Sequence, residues 1–403
     1  MDFILKRAAE IQEEIVAHRR YFHENAEVNN ELPKTCAYVM EKLKEMGYEP
    51  KLIAQNSGVV ALVGKKTGKT FMIRADMDAL PMGEETDEPF KSKTPHMHSC
   101  GHDLHTAMLL GAAKLLKENE DKINGQVKLM FQPAEETLWG AKAMIDDGLM
   151  ENPKVDAAMM IHVRTAAENL ETGTVLFSTP GVAAASSDGF RIDIKGKGGH
   201  GARPQACLDP LTTAAHILIN LQEILAKEIA PTDEAVVNIC HLEGGSATNI
   251  IPDVALMQGT IRTYDPAVRE FILKRVPEII EGTAKLFRTE AELTWLMNTP
   301  SVVNNPELFA ELLGYAKEVF GADKVVNVSE IKPKEARSPG SEDFAYVSQL
   351  VPAVGTGLVA GAEKDGYVFG GHHPKVRYDE AALKTGTAMY VSMAMKWLEK
   401  NNK

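Results

Sequence analysis

The sequence predicts an α/β protein whose main domain is a mixed, mostly parallel sheet flanked by helices, with an inserted βαββαβ domain of ferredoxin-like type. Three observations carry this. From residue 57 to 179 short apolar runs alternate with helical patterns. Between about 187 and 300 the order becomes strand, helix, strand, strand, helix, strand, and after residue 304 helical patterns return. With 403 residues the chain also exceeds what one hydrophobic core usually serves. The domains are therefore read as residues 1–186 with 301–403, and the insertion as residues 187–300.

Taken in chain order, the opening MDFILKRAAEIQEEIVAHRR is charged throughout and places Ile4, Ala8, Ile11 and Ile15 at helical spacing. It reads as an amphipathic helix and not as a secretion signal. SGVVALVG, TFMIRA, a helix from about 102, QVKLMF, a helix from about 138, DAAMMIH and GTVLFS follow as the core of the first domain. Polar motifs stand just beyond three of these strands: Asp76 and Asp78 after TFMIRA, Glu135 and Glu136 after QVKLMF, and His162 at the end of DAAMMIH. Folds of this class put their chemistry at such strand ends, so the three are expected to converge on one crevice.

In the insertion the strands are GFRIDIKGKG, AVVNICHLEGG, DVALMQGTIRTY and AELTWLMN. The helix DPLTTAAHILINLQEILAK lays Leu211, Ala214, Leu218, Leu221 and Leu225 along one stripe for the sheet. NPELFAELLGYAKEVFG, AVGTGLVAG and EAALKTGTAMYVSMAMKWLEK then complete the first domain.

Composition excludes several classes of function. A net charge of −12 would repel phosphate polymers, so nucleic acid is not an expected partner. No apolar run approaches the roughly 18 residues of a membrane span. Cysteines at 36, 100, 207 and 240 are few and scattered, which fits reduced thiols and a cytoplasmic setting.

The densest chemistry lies in HMHSCGHDLH, where His96, His98, Cys100, His102 and His105 fall within ten positions of a chain with twelve histidines. Imidazoles and a thiolate at such spacing suit a borderline-soft cation such as zinc. Glu135 and Glu136, His162, and the late pair His372 and His373 complete a plausible donor set for two ions. Adjacent glutamates after a strand point in different directions, so one can ligate while the other works as a base. Taken alone, the glutamate pair would be a helix-start acidic pair and His162 a hydrogen-bonded core histidine; the company they keep reverses both readings. Cys100 as a nucleophile is the weaker reading, because a metal-held thiolate is not free to attack. His18, His23, His216 and His241 read as structural. GKGGHGARP presents His200 and Arg203, two donors suited to a carboxylate or an oxyanion.

At these residues the sequence resembles the dinuclear metal-dependent amidohydrolase and peptidase family of hippurate hydrolase, indole-acetyl-amino-acid hydrolases, N-acetyldiaminopimelate deacetylase, aminobenzoyl-glutamate hydrolase and certain carboxypeptidases. Nine motifs match in order, among them RADMDALP (74–81), HMHSCGHDLHTA (96–107), FQPAEE (131–136), GGHGARP (198–204), GGSATNIIPD (244–253), GSEDFA (340–345) and GHHP (371–374). The resemblance implies a catalytic metal-binding domain and an inserted lid that pairs two subunits into a homodimer. It implies Cys100, His102, Glu136, His162 and His372 as ligands of two divalent ions, zinc or manganese, with cobalt compatible. Glu135 looks like the general base, Asp78 like the carboxylate that orients a metal-bound histidine, and His200 like an oxyanion donor, with Asn249 and Arg203 as substrate contacts.

The activity so implied is hydrolysis of the amide bond of a small N-acyl amino acid, of acetyl, aroyl or indole-acetyl type. A carboxypeptidase or aminopeptidase with the same two-metal site is the alternative. A binding or scaffold protein that had lost catalysis would show a damaged ligand or base, and none is damaged. Two stretches depart from the family pattern. Ala26 stands where proline is usual, which is read as touching a loop at the mouth of the site. Val376, Arg377 and Tyr378 replace an aromatic-acid-aromatic run, so Arg377 is expected to add a cation close to the metal pocket or its rim and to alter the acyl or amino-acid preference.

Overall fold

The computed structural model describes residues 1–402, which divide into two compact units. The first comprises Met1–Ala183, Val303–Arg337 and residues 343–402; the second comprises Ala184–Val302 and Ser338–Glu342.

In the first unit, α1 (Asp2–Glu10), α2 (Gln12–Glu24) and α3 (Pro33–Glu45) precede β1 (Lys51–Ile53), β2 (Gly58–Gly64) and β3 (Thr70–Asp76). Then come α4 (His102–Glu118), β4 (Gln126–Gln132), α5 (Gly140–Asp146), β5 (Ala157–Arg164) and β6 (Val175–Phe177). The second unit contributes β7 (Ser187–Lys195), α6 (Pro210–Glu223), β8 (Ala235–Gly244), β9 (Val254–Thr263), α7 (Pro266–Phe287) and β10 (Glu290–Thr299). The first unit resumes with α8 (Pro306–Phe320), β11 (Val325–Asn327), β12 (Ala353–Val359) and α9 (Leu383–Asn401).

The large sheet runs β1-β2-β4-β3-β5-β12-β6-β11. Its centre, β4-β3-β5-β12, is parallel, and antiparallel pairs join β1 to β2, β2 to β4 and β12 to β6. This is the mixed, mostly parallel sheet expected. Its central strands are continuous apolar runs because both faces are covered. Alternation sorts their side chains. Phe71, Ile73, Val127, Leu129, Met159 and Ile161 join the core that includes α4 and α9 residues, while Met72, Met130, Ala158 and Met160 join a second core with Met144 and Phe344. By the same parity Arg74, Asp76, Gln132, His162 and Arg164 belong to the second face.

The opening helix is two helices: the chain breaks at Ile11, yet Ile4, Ala8, Ile11 and Ile15 are all buried as their spacing requires. The helix expected from about 138 begins at Gly140.

The second unit is a βαββαβ fold with order β8-β9-β7-β10, every pair antiparallel. Asp209 and Asp265 cap α6 and α7 by accepting the N–H of Leu211 and of Ala267 and Val268, each followed by a proline at the first helical position. Ala214, Ile217, Leu221, Val276 and Ile280 close one face of the sheet over Phe190, Ile192, Ile194 and Met257.

Candidate metal centre

The carboxyl ends of β3, β4 and β5 each lead into donors. β3 ends at Asp76 with Asp78 two residues on, β4 leads into Glu135 and Glu136, and β5 carries His162. The start of α4 supplies Cys100 and His102, with Gly101 between them in the left-handed region at φ 89°. A Cβ on Gly101 would lie 2.4 Å from Val163 Cγ2, so only glycine lets α4 approach β5 this closely. His372, itself left-handed at φ 65°, donates its N–H to Ser99 O at 3.0 Å, and the Tyr378 hydroxyl donates to the same carbonyl.

Asp76–His102–His105 and His102–Glu135–Glu136 gather donor atoms within 4.8 Å of one another, and so do the two sets Cys100–His102–His162 and Cys100–Glu136–His372. The last two share Cys100. Cys100 Sγ is 3.4 Å from His162 Nε2, His372 Nε2 is 3.6 Å from Glu136 Oε2, and His102 Nε2 is 3.8 Å from Glu135 Oε2 and 3.9 Å from Glu136 Oε1.

Tautomers follow from the acceptors. His102 Nδ1 donates to Asp78 O at 2.8 Å and His162 Nδ1 to Val163 O at 2.7 Å; a carbonyl can only accept, so the lone pair of each neutral ring is on Nε2. His102 Nε2 and Glu136 Oε1 are buried without a hydrogen-bond partner. Buried polar atoms of that kind need an occupant, and this imidazole, carboxylate and thiol set suits a divalent cation.

A lattice of hydrogen bonds holds these groups. The Asp78 carboxylate accepts the N–H of Glu135 at 3.0 Å and of Glu136 at 3.2 Å, while its Oδ1 lies 3.4 Å from His102 Nδ1. Asp78 thus orients both glutamates through their backbone, and His102 mainly through its own carbonyl. Ala134, left-handed at φ 50°, sets the turn and donates its N–H to Asn29 O at 2.9 Å, and Ala79 donates to Glu27 O at 2.7 Å. The segment after Ala26, read from sequence as a loop at the mouth, therefore braces the loops bearing Asp78 and Glu135.

Asp76 accepts from His105 Nδ1 at 2.5 Å and from Arg74 at 2.7 Å. Val163 N–H donates to His105 Nε2, so both nitrogens of His105 are engaged and it is no ligand.

The electrostatics favour a cation. Burial pushes the Cys100 thiol up to about 12, and burial with the Asp78 and Asp76 charges raises the Glu136 carboxyl. Burial alone would lower His102, but Asp76, Cys100 and Asp78 together outweigh it and hold the imidazole well above its usual value. Ligands that resist deprotonation when alone ionise once a metal charge stands among them.

His200, Arg203 and Asn249 lie together in the second unit. Gly199–His200 pairs with Ile250–Ile251, and Gly201 donates to Asn249 O at 2.8 Å. All three side chains are exposed. His98 is fully buried with both ring nitrogens unpartnered, and His23 bonds Asp103 and Glu84. Arg377, expected close to the metal pocket or its rim, donates to Gly366 O at 3.2 Å and lies over the Tyr367 ring, while Val376 and Tyr378 are buried. Sequence reading missed Asp103, whose carboxylate joins Arg19 to His23 at 2.8 Å each.

The fold and the donor set together define a metal-dependent amidohydrolase. Peptidase family M20/M25/M40 matches residues 72–396, and the chain belongs to it. It is 34% identical over 393 residues to the N-acetyl-L-cysteine deacetylase of Bacillus subtilis (strain 168), covering 97% of this chain and 90% of that one. It is 35% identical over 389 residues to the IAA-amino acid hydrolase ILR1-like 4 of Arabidopsis thaliana, covering 95% and 86%. Among solved structures, the YXEP protein of Bacillus subtilis, described as a dinuclear metal-binding peptidase of the M20 family, superposes with a TM-score of 0.79 at 30% identity, covering 97% of this chain and 99% of that one.

Proposed function

We propose that the protein hydrolyses the amide bond of N-acyl amino acids, of acetyl, aroyl or indole-acetyl type, with two divalent cations held by Cys100, His102, Glu136, His162 and His372. One observation carries the reading. Cys100–His102–His162 and Cys100–Glu136–His372 share Cys100, and Glu135, which also groups with His102 and Glu136, stands beside them as a buried carboxylate 3.8 Å from His102 Nε2. The relatives named as a deacetylase and an IAA-amino acid hydrolase support the same chemistry. The thiolate favours zinc on softness, and manganese or cobalt fits the remaining donors.

When bound, the ions supply Lewis acidity, polarising the scissile carbonyl and easing deprotonation of water. Glu135 accepts the proton of the attacking water and returns it to the leaving amine. Asp78, by holding the Glu135 and Glu136 backbone, keeps that carboxylate in place. His200 donates to the tetrahedral oxyanion, and Asn249 and Arg203 contact the substrate; their exposed side chains suit such roles. A homodimer through the inserted lid domain is supported by the sheet face opposite α6 and α7, where Val236 and Val254 are exposed. A cytoplasmic setting is supported by the four cysteines, which are all free thiols.

The test is release of free amino acid from acetyl, benzoyl and indole-acetyl conjugates by protein loaded with zinc or manganese, beside Glu135→Gln with its metal content measured. Loss of roughly 10²- to 10⁴-fold in kcat at full metal content is expected. A Glu135→Gln protein that kept most of its activity would sink the mechanism. A peptidase is the second reading, favoured by the description of the YXEP protein, so dipeptides belong in the panel.

A further inference from the structure

We propose that Asp343 is a positioning residue that clamps the turn carrying Glu135 and Glu136, and so fixes where the proton-accepting carboxylate stands. The inference rests on the amide-hydrolase reading and extends it to a residue that mechanism does not use. The segment between β4 and α5 doubles back on itself: a Cβ on Gly140 would lie 1.6 Å from Pro133 O, and the N–H groups of Trp139 and Gly140 both donate to Ala134 O at 3.2 Å. Within it Ala134 and Leu138 are left-handed at φ 50° and 55°, a conformation that residues other than glycine keep only where the surroundings over-determine it. Asp78 holds the middle of this turn through the Glu135 and Glu136 amides. The two ends of the turn meet at Asp343, from the GSEDFA motif. Its Oδ1 accepts from Gln132 Nε2 at 2.6 Å and Arg74 Nη2 at 3.1 Å, and its Oδ2 accepts the Ala141 N–H at 2.8 Å.

A buried ion pair is ordinarily only structural. Three observations set this one apart. Asp343 is fully buried, and one of its carboxylate oxygens lies within 4.8 Å of one of Glu135. The groups of Gln132, Arg74 and Ala141 that meet it are all N–H donors, so the place calls for a group that accepts with both oxygens. The tie also continues into the crevice: Arg74 Nε donates to Gln132 Oε1 at 2.8 Å and Nη1 to Asp76 Oδ2 at 2.7 Å, while the other Asp76 oxygen accepts from His105 Nδ1. Asp343 therefore acts on Glu135 through the backbone of the turn, at its ends, as Asp78 does at its middle. Misplacing a catalytic group by about 1 Å costs up to about 100-fold in rate, which sets the scale of effect for a loosened turn.

The polarity of the Gln132–Asp343 hydrogen bond supplies the experiment. In Asp343→Asn the carboxamide NH2 meets an N–H donor in either orientation, and in Gln132→Glu a carboxylate faces the Asp343 carboxylate. The double variant sets donor against acceptor again and keeps the net charge. Wild type and the three variants are loaded with zinc or manganese to full content, and their melting temperatures are measured. On N-benzoyl amino acids each single variant should lose about 10- to 100-fold in kcat with KM within about threefold of wild type, and the double variant should recover most of that loss. Amide hydrogen exchange at residues 134–141, a readout independent of turnover, should quicken in each single variant and slow again in the double. Unchanged kcat or unchanged exchange in the single variants overturns the assignment while leaving the hydrolase reading intact. A double variant that regains its melting temperature but not its kcat makes the tie purely structural and overturns it too, as do single variants that fail to fold. A wild type that releases no amino acid removes the hydrolase reading, and this inference with it.

Discussion

The metal crevice of the first unit and the His200–Asn249 corner of the second hold their chemistry-bearing side chains in opposite ways. In the crevice, Asp76, Asp78, His102 and Glu135 are buried, and the atoms left without protein partners, His102 Nε2 and Glu136 Oε1, are those a cation would take. In the second unit His200, Arg203 and Asn249 are exposed; His200 Nδ1 accepts the Ala202 N–H at 3.0 Å, and the backbone alone joins the two segments. The difference teaches what each kind of site needs. A buried donor set must be built in advance, because every unpaired polar atom carries a desolvation cost, whereas exposed donors can stay hydrated until a substrate arrives.

That contrast can be broken or sharpened by experiment, beginning with the largest effect. His200→Ala should lower kcat by roughly 10²- to 10³-fold while metal affinity and melting temperature change little, because the side chain is exposed and its one internal hydrogen bond is to the nearby Ala202 N–H. Asp78→Ala should weaken metal affinity by roughly 10- to 100-fold and lower the melting temperature, since it removes the acceptor of two buried amides. Equal metal losses in both variants, read by elemental analysis, would erase the distinction.

Chelation comes next. Removing the ions should cost the first unit about 5–10 °C in melting temperature, from roughly 2.7 kcal/mol of linkage at a hundredfold excess over Kd. Amide exchange at Glu135 and Glu136 should quicken while residues 199–203 stay unchanged, and equal quickening at both places would contradict the comparison.

The smallest effect concerns the acid limit of stability. Burial would raise the Glu84 carboxyl, but the hydrogen bond and charge of His23, with Thr86 and the Ser92 N–H, hold it at about 2, below its ordinary 4.5. A depressed folded pKa contributes stability that is full above 4.5 and is lost as pH falls towards 2. Glu84→Gln should therefore flatten the fall of melting temperature across that window; an unchanged slope would show that the pair contributes nothing.

Much of the sheet was legible because period-two and period-3.6 patterns are local: Phe71, Ile73, Val127 and Leu129 announce their faces within a few residues. The donors were legible because residue chemistry travels with the sequence, as in Cys100, His102 and the Glu135–Glu136 pair. The function of Asp78 was only half legible. Its tie to His102 fitted the motif, but its larger role, accepting two amides at residues 135 and 136, depends on a loop that only folding brings near. Arg377 was half legible for the same reason. The partners of its guanidinium, Gly366 O and the Tyr367 ring, come from a loop the motif does not announce.

Strand and helix order and the types of atom offered to a metal are written in this chain's local pattern, since periodicity and side-chain chemistry need no distant partner. Which nitrogen of His102 and His162 stays open, and which amides the Asp78 carboxylate holds, depend on hydrogen bonds and packing between residues far apart in sequence. Those are tertiary facts, because a buried group's role is set by what saturates it, and only the folded chain supplies the partner.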